Sequence, residues 1–265
     1  MRTSVIWLDH ASTPQAFDPD PLRTGSGSVS TLACAGLQAA PDAAAWVDAQ
    51  RVSSAIILTR PDGLSSARYF AAVLAGARPE LRLTVDAPGA GRLASLALGQ
   101  RALALRVGAA ETLAAFTVTA AASISGTWLR SLARLKTPAP TLGQYLRSLV
   151  SRQGAVVTMT PEPVVRPPGW MPSTPPPPSA RLLVATATNV PQALTEAFPE
   201  VPVSVVPPQG DLRNGNASGV EFLVEEPGML RPTPTHTVCP ICGDVLFTSA
   251  CPFCHVIAHP QGVAA

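Results

Sequence analysis

Charge is scarce in this 265-residue chain: Asp, Glu, Lys and Arg make up 14% of it, against 46% apolar residues. That balance excludes a charge-rich disordered chain and fits a packed core with plain surfaces. Lysine is almost missing. Lys136 is the only one, so any chemistry that needs a lysine has a single candidate. Histidine is rare too: His10 sits beside Asp9, and His236, His255 and His259 fall near the C-terminus. No Ser/His/Asp or Cys/His constellation emerges from so few, which argues against a hydrolytic enzyme. Long apolar runs are absent. Residues 5–8 are too short for a secretory h-region, and the uncharged stretch 112–129 is rich in Ala, Ser and Thr, a poor bilayer span. The expectation is a cytoplasmic protein without a membrane partner, in which free thiols and metal are favoured over disulfides.

Proline, by contrast, is heavy at 29 residues, so part of the chain must be linker. The net charge of +2 matters less than its distribution. Cys34 stands alone in an apolar run and reads as a buried strand cysteine. The other four cysteines form two C-x-x-C pairs, Cys239 with Cys242 and Cys251 with Cys254, eight residues apart. Each spacing lets two thiolates point at one centre from a tight turn, and two such turns make a tetrahedral S₄ site of the kind Zn²⁺ accepts.

The first 125 residues alternate strand-like and helix-like patterns. Strands are expected at residues 4–8, 29–37, 54–59, 81–85 and 102–107. Helices are expected at 41–50, 65–77, 91–98 and 110–122, with Tyr69, Phe70, Val73 and Leu74 on one side of the second. Such alternation implies a mostly parallel sheet covered on both faces. The five-fold rhythm resembles the receiver domain of bacterial response regulators, a flavodoxin-like α/β fold. That resemblance implies an acidic residue after the first strand, where Asp9 stands. It also implies an acceptor aspartate ending the third strand, where Thr59 and Arg60 stand instead. Thr84 lies near the end of strand four, and Arg106 occupies the region of the required lysine. The resemblance is therefore to a pseudo-receiver that cannot run the phosphorylation cycle. Asp62 is a displaced acceptor candidate, although Pro61, Asp62 and Gly63 spell an ordinary turn.

Residues 126–155 read as a helical connector. Trp128, Leu129, Leu132 and Leu135 follow helical spacing, then Pro138 and Pro140 interrupt. Thr141 and Gln144 form a capping box for a second helix with Leu142, Tyr145, Leu146, Leu149 and Val150 as its apolar face. A Pro-rich linker spans 156–180, extended or laid along a surface. Residues 181–228 read as a small β-α-β unit: a strand at 181–187, a helix capped by Asn189, and strands at 201–206 and 220–224. A further Pro-containing link leads to the cysteines at 235–260.

The proline beside the first cysteine of each pair and Gly243 after Cys242 complete turns that resemble the knuckles of the zinc-ribbon family. The resemblance implies structural Zn²⁺ on Cys239, Cys242, Cys251 and Cys254, with no open position for catalytic water. His255 or His259 could replace one thiolate, and a solvated tail histidine is the alternative. Residues 238–265 carry no Lys or Arg, so the phosphate-neutralising term of nucleic-acid affinity is missing from the ribbon. Its apolar side chains, Ile241, Phe247 and Phe253 among them, are candidate protein contacts, with the chain's own body or with another protein.

Cationic residues collect elsewhere. From residue 112 to 161 there is no acid, while Arg130, Arg134, Lys136, Arg147 and Arg152 are present. They are candidate contacts for nucleic acid or an acidic partner. Gly89 and Gly91 between a strand and a helix loosely match a dinucleotide-binding turn, and a plain turn is the alternative. These observations favour a non-enzymatic regulatory or scaffold protein that contacts another protein or itself. A nucleic-acid regulator using helices at 128–152 and a nucleotide-binding enzyme are the rivals.

Overall fold

A computed structural model describes residues 2–9, 31–35, 40–150, 153–208, 213–214, 217–235 and 237–257. The chain opens with β1 (Thr3–Asp9) and β2 (Thr31–Ala35), followed by α1 (Ala40–Ala49) and β3 (Ser54–Leu58). A 3₁₀ turn at Pro61–Gly63 leads into α2 (Leu64–Ala77), then β4 (Arg82–Asp86). All four strands are parallel, in the order β2-β1-β3-β4. Their side chains alternate between two cores, as the strand period requires. Ile6, Leu8, Ala55 and Ile57 pack under α1 and α2, while Val5, Trp7, Ile56 and Leu58 face the opposite layer. On α2 the buried stripe is Ala67, Phe70 and Leu74, at helical spacing. Tyr69 and Val73, expected on that side, face solvent.

The opposite layer is α3 (Arg92–Ala104) and α4 (Ala109–Ala122). Ten of the thirteen residues of α3 are buried. A helix buried on nearly every side must be covered by more than one layer. The parallel sheet covers one side of α3, and a second sheet covers another.

That second sheet holds β5 (Ile124–Leu129), β6 (Ala155–Thr160), β7 (Val164–Val165), β8 (Arg181–Ala185), β9 (Val203–Val206) and β12 (Val220–Glu225), in the order β7-β6-β5-β12-β8-β9. Between β5 and β6 lies α5 (Leu142–Val150), and between β8 and β9 lies α6 (Gln192–Ala197). A short ribbon of β10 (Arg213–Asn214) and β11 (Ala217–Ser218) precedes β12. Leu183, Ala185, Val206 and Leu223 pack toward α3, while Leu182, Val184, Phe222 and Val224 pack toward α6 with Leu194 and Phe198. The layers therefore run helices, parallel sheet, helices, mixed sheet, helix.

Three expectations are corrected here. Residues 102–107, expected as a fifth parallel strand, end α3 and turn with Arg106 at φ +55°. Alanine and leucine carry the helix on where an isolated apolar run suggests a strand. The parallel sheet stops at four strands, so the receiver pattern is not completed. The helical connector at 126–155 keeps only its second helix, α5: Trp128 and Leu129 belong to β5, and Leu132 and Leu135 are buried in the turns that follow. The period misled because a strand and the turns after it happen to bury residues three apart. Finally, 181–228 is not a separate unit, because β12 pairs with β5 on one side and β8 on the other.

Residues 156–180, expected as a linker, begin with β6 and β7 of the mixed sheet, and the rest of that stretch lies on the body. Arg166 stacks over Trp170 at 5.0 Å, and Trp170 meets Phe198 edge-on at 6.0 Å. Before the cysteines, the Leu230 N–H donates to Thr119 Oγ1 of α4, and Arg231 pairs with Glu111 at 3.0 Å.

Candidate functional site

Two polar features stand at opposite ends of α3. The first is at its start, beside the carboxyl ends of the parallel strands, where open α/β sheets take ligands. Thr59 and Arg60 follow β3. The Thr59 hydroxyl donates to the Leu8 carbonyl at 3.2 Å, and its N–H to the Asp86 carbonyl at 3.1 Å, which closes the sheet end. Gly89 turns the chain at φ +73°, and Gly91 caps α3. The strand, turn and helix expected around Gly89 and Gly91 are therefore present. The helix start is not open, however. Glu221 of β12 places its carboxylate there, accepting the N–H of Arg92 at 3.3 Å and of Leu93 at 2.7 Å. A methyl group on Gly91 would lie 3.2 Å from Glu221 Oε1, so the missing side chain lets the carboxylate approach. A pyrophosphate would meet this buried carboxylate, which removes the dinucleotide reading.

Burial raises the pKa of Glu221, opposed by the Leu93 N–H and by the cations of Arg60 and Arg92. Arg60 thus lies within electrostatic reach of Glu221, and its Nη2 is buried with no hydrogen-bond acceptor. Asp86, at the end of β4, is also pushed up by burial, against the Ala87 N–H and the Thr117 hydroxyl. Leu58, Ala90 and Leu93 belong to the apolar core beside these groups.

The second feature is the cysteine module near the other end of α3. The four sulfurs of Cys239, Cys242, Cys251 and Cys254 lie within 4.8 Å of one another and could hold a metal ion. The two knuckles share one construction. The Gly243 N–H donates to the Cys239 carbonyl and the His255 N–H to the Cys251 carbonyl, both at 2.9 Å. Gly243 and His255 each have positive φ, +73° and +56°, and bridges from Val238 to Val245 and from Ala250 to Ile257 close the loops. His255 is exposed and belongs to the turn rather than the sulfur cluster. Burial would raise the Cys239 thiol, but the N–H groups of Cys242 and Ile241 and the sulfurs of Cys242 and Cys251 bring it down to about 7. Burial and the neighbouring Cys242 push Cys254 up. Four crowded thiols that favour one thiolate are suited to a cation.

The module docks on its own chain. Cys239, Leu246, Cys251 and Phe253 join the core that contains α3 and α4. Arg82 of β4 pairs with Asp244 at 3.0 Å and stacks over the Phe253 ring at 5.7 Å. Of the expected protein contacts, Phe253 is spent on this docking, Phe247 is half-buried and Ile241 is exposed. Arg130, Arg134, Lys136 and Arg147 are all exposed, but only Arg147 is on a helix. Arg152, His10, His236 and His259 lie outside the described residues, as do the side chains of Asp9 and Cys34. Sequence reasoning missed Glu221, Arg82 and Asp244. A lone acid inside the apolar strand sequence Val-Glu-Phe-Leu-Val was the available signal for Glu221.

No family model and no curated protein matches the sequence. Among solved structures, a DegV family protein from Corynebacterium glutamicum matches with a TM-score of 0.55 at 11% identity, covering 87% of this chain and 98% of that one. The fold is similar to that of DegV. Two Thermotoga maritima structures, a DegV lipid-binding protein and a protein described as revealing fatty acid binding function, each give a TM-score of 0.49 at 11% identity. They cover 87% and 85% of this chain and 99% of their own. A DegV-like fold replaces the receiver-like one. The pseudo-receiver scaffold, with its regulatory role, is overturned with it, since both rested on that resemblance.

Proposed function

We propose that the protein binds a small acidic ligand with an apolar body at the carboxyl ends of the parallel strands. The observation that carries this reading is Arg60. A buried guanidinium N–H without an acceptor is costly, and a ligand carboxylate would satisfy it with a charge-assisted bond. Thr59 precedes Arg60 at the end of the same strand, and Leu58, Ala90 and Leu93 supply apolar surroundings. The DegV-like architecture supports a ligand-binding role, and the ligands named for the two Thermotoga proteins make a fatty acid the first candidate to try. Equilibrium binding of oleate to the whole chain tests this. Saturable binding weakened at least about tenfold by Arg60→Ala is expected, the loss of one charge-assisted hydrogen bond. Absence of saturable binding, or binding that Arg60→Ala leaves unchanged, overturns it.

We also propose that the ion on the four cysteines is Zn²⁺ in a structural role. Cys242 Sγ and Cys251 Sγ are 3.7 Å apart. Sulfurs on a tetrahedron with Zn–S bonds of about 2.3 Å are separated by about 3.8 Å. All four positions would be thiolate, which leaves none for a reacting water. Metal analysis of the purified protein is expected to give one zinc per chain, lost when Cys242 and Cys251 are both replaced by serine.

A further inference from the structure

Helix α5 carries its apolar face outward. Leu142, Tyr145, Leu146, Leu149 and Val150 recur at helical spacing on one side. Among them Leu142, Leu146, Leu149 and Val150 are 73%, 52%, 56% and 84% exposed. The only buried residue of the helix is Ser148, on the opposite side. Its hydroxyl accepts the Leu132 N–H at 3.2 Å and donates to the Tyr145 carbonyl at 2.8 Å. Thr141 and Gln144 close a reciprocal capping box, and Gln144 Nε2 donates to the Val165 carbonyl. The helix is thus tied down by its polar side, and the orientation of its leucines is built in.

The surroundings are cationic. The Ser148–Leu132 contact fixes α5 beside the segment that carries Arg130, Arg134 and Lys136, and Arg147 is on the helix itself. All four side chains are exposed, and no acid occurs in the sequence from residue 112 to 161.

We propose that α5 and its flanking cations form a docking surface for an anionic lipid bilayer, with the helix lying in the interfacial plane. A strong apolar face beside Arg and Lys is the pattern of interfacial helices. A nine-residue helix has too little apolar area to hold alone, so the cations must add attraction to acidic headgroups. Nucleic acid fits less well, because phosphate contacts use the cations and leave four leucine and valine side chains in water. The expectation that no membrane partner exists rested on the lack of a spanning segment, and an interfacial helix needs none. The surface does not depend on the ligand at Arg60.

Cosedimentation of the zinc-loaded full chain, without added fatty acid, tests the surface. Vesicles of phosphatidylcholine alone are compared with vesicles containing about one third phosphatidylglycerol. Binding is expected on the anionic vesicles and reduced by high salt. It should fall at least about tenfold in Leu146→Ser/Leu149→Ser, as two leucines lose partial burial, and about fivefold for each of Arg134→Gln and Arg147→Gln. These side chains are exposed, so an unchanged melting temperature in each variant certifies the fold. Wild-type protein that stays in solution with both vesicle types overturns the proposal. So does full binding by the double leucine variant, retention on DNA instead of vesicles, or a dimer that the leucine substitutions dissolve without any vesicle binding.

Discussion

The carboxylate of Glu221 lies 2.7 Å from the backbone nitrogen of Leu93, so a strand of the mixed sheet caps a helix of the parallel one. Four residues along the same strand, Glu225 pairs with Arg101 at 2.8 Å, in the last turn of that helix. The lengths agree: four strand steps span about 13 Å, and nine helical steps about 13.5 Å. Strand β12 therefore runs along α3 with an acid at each end and Leu223 between them, which fixes the two sheets to one another.

Glu221→Ala should strand the N–H groups of Arg92 and Leu93 and the nearby cation of Arg60 in a buried place. A loss of about 3 kcal/mol in unfolding free energy is expected. Glu221→Gln keeps an acceptor oxygen and should cost roughly half as much. Denaturant unfolding of the three proteins checks the order.

The pH response has a definite sign. The unfolded chain releases the Glu221 proton near the ordinary carboxyl value, about 4.3, whereas burial raises the native value. In the window above 4.3 the native state still holds a proton that the unfolded state has lost, so this contribution to stability falls as pH rises. Asp86, also raised by burial, acts in the same direction. The stability advantage of wild type over Glu221→Gln should therefore shrink from about pH 4 to pH 7. A gap that widens over that range would contradict it.

Metal removal should act on the whole molecule, because Cys239, Cys251, Leu246 and Phe253 belong to the core that contains α3 and α4. Chelation under reducing conditions is expected to cost on the order of 3 kcal/mol, a drop of about 6–12 °C in Tm. Restoring zinc should reverse it, as read by differential scanning calorimetry.

Arg82→Ala should loosen the docked module without emptying it. The Arg82–Asp244 pair is mostly buried, with side chains 19% and 15% exposed, and the same guanidinium covers Phe253. A cost of about 1–3 kcal/mol is expected, the penalty of an unpaired buried charge with some water access. Zinc content should stay at the wild-type level while proteolysis near residue 235 accelerates.

Gly126 sits where β5 crosses β6, and a Cβ there would lie 2.1 Å from the Val157 carbonyl oxygen, a backbone atom that cannot move aside cheaply. Gly126→Ala is expected to lose at least about 3 kcal/mol or to fail to fold, visible as a fall in soluble yield and Tm.

Much of this was legible before any coordinates. The C-x-x-C spacings picked out the four sulfurs because the ligands of a pair are neighbours along the chain. Thr141 and Gln144 announced a capping box for the same reason. The buried runs of Val5 to Leu8 and of β3 follow from local pattern. The stretch 102–107 misled because an alanine–leucine run suits the end of a helix as well as a short strand, and Trp128 to Leu135 misled because spacing does not distinguish a helix from a strand with turns. The apolar residues of α5 were legible as a face, but the direction of that face was not. An amphipathic pattern says which side chains share a side and not which side meets the body.

By itself, then, the sequence determined the paired cysteines, the capping box of α5 and the buried runs of β1 and β3, all set by residues within a turn or two of each other. Asn189, expected to cap α6, does not, since Pro191 stands at that cap. Only the tertiary structure decided that Glu221 seats on a helix 128 residues earlier and that Arg82 receives Asp244 from 162 residues away. It alone decided, too, that α5 turns its leucines outward. These outcomes depend on which surfaces the two sheets leave facing each other, and no local propensity encodes that.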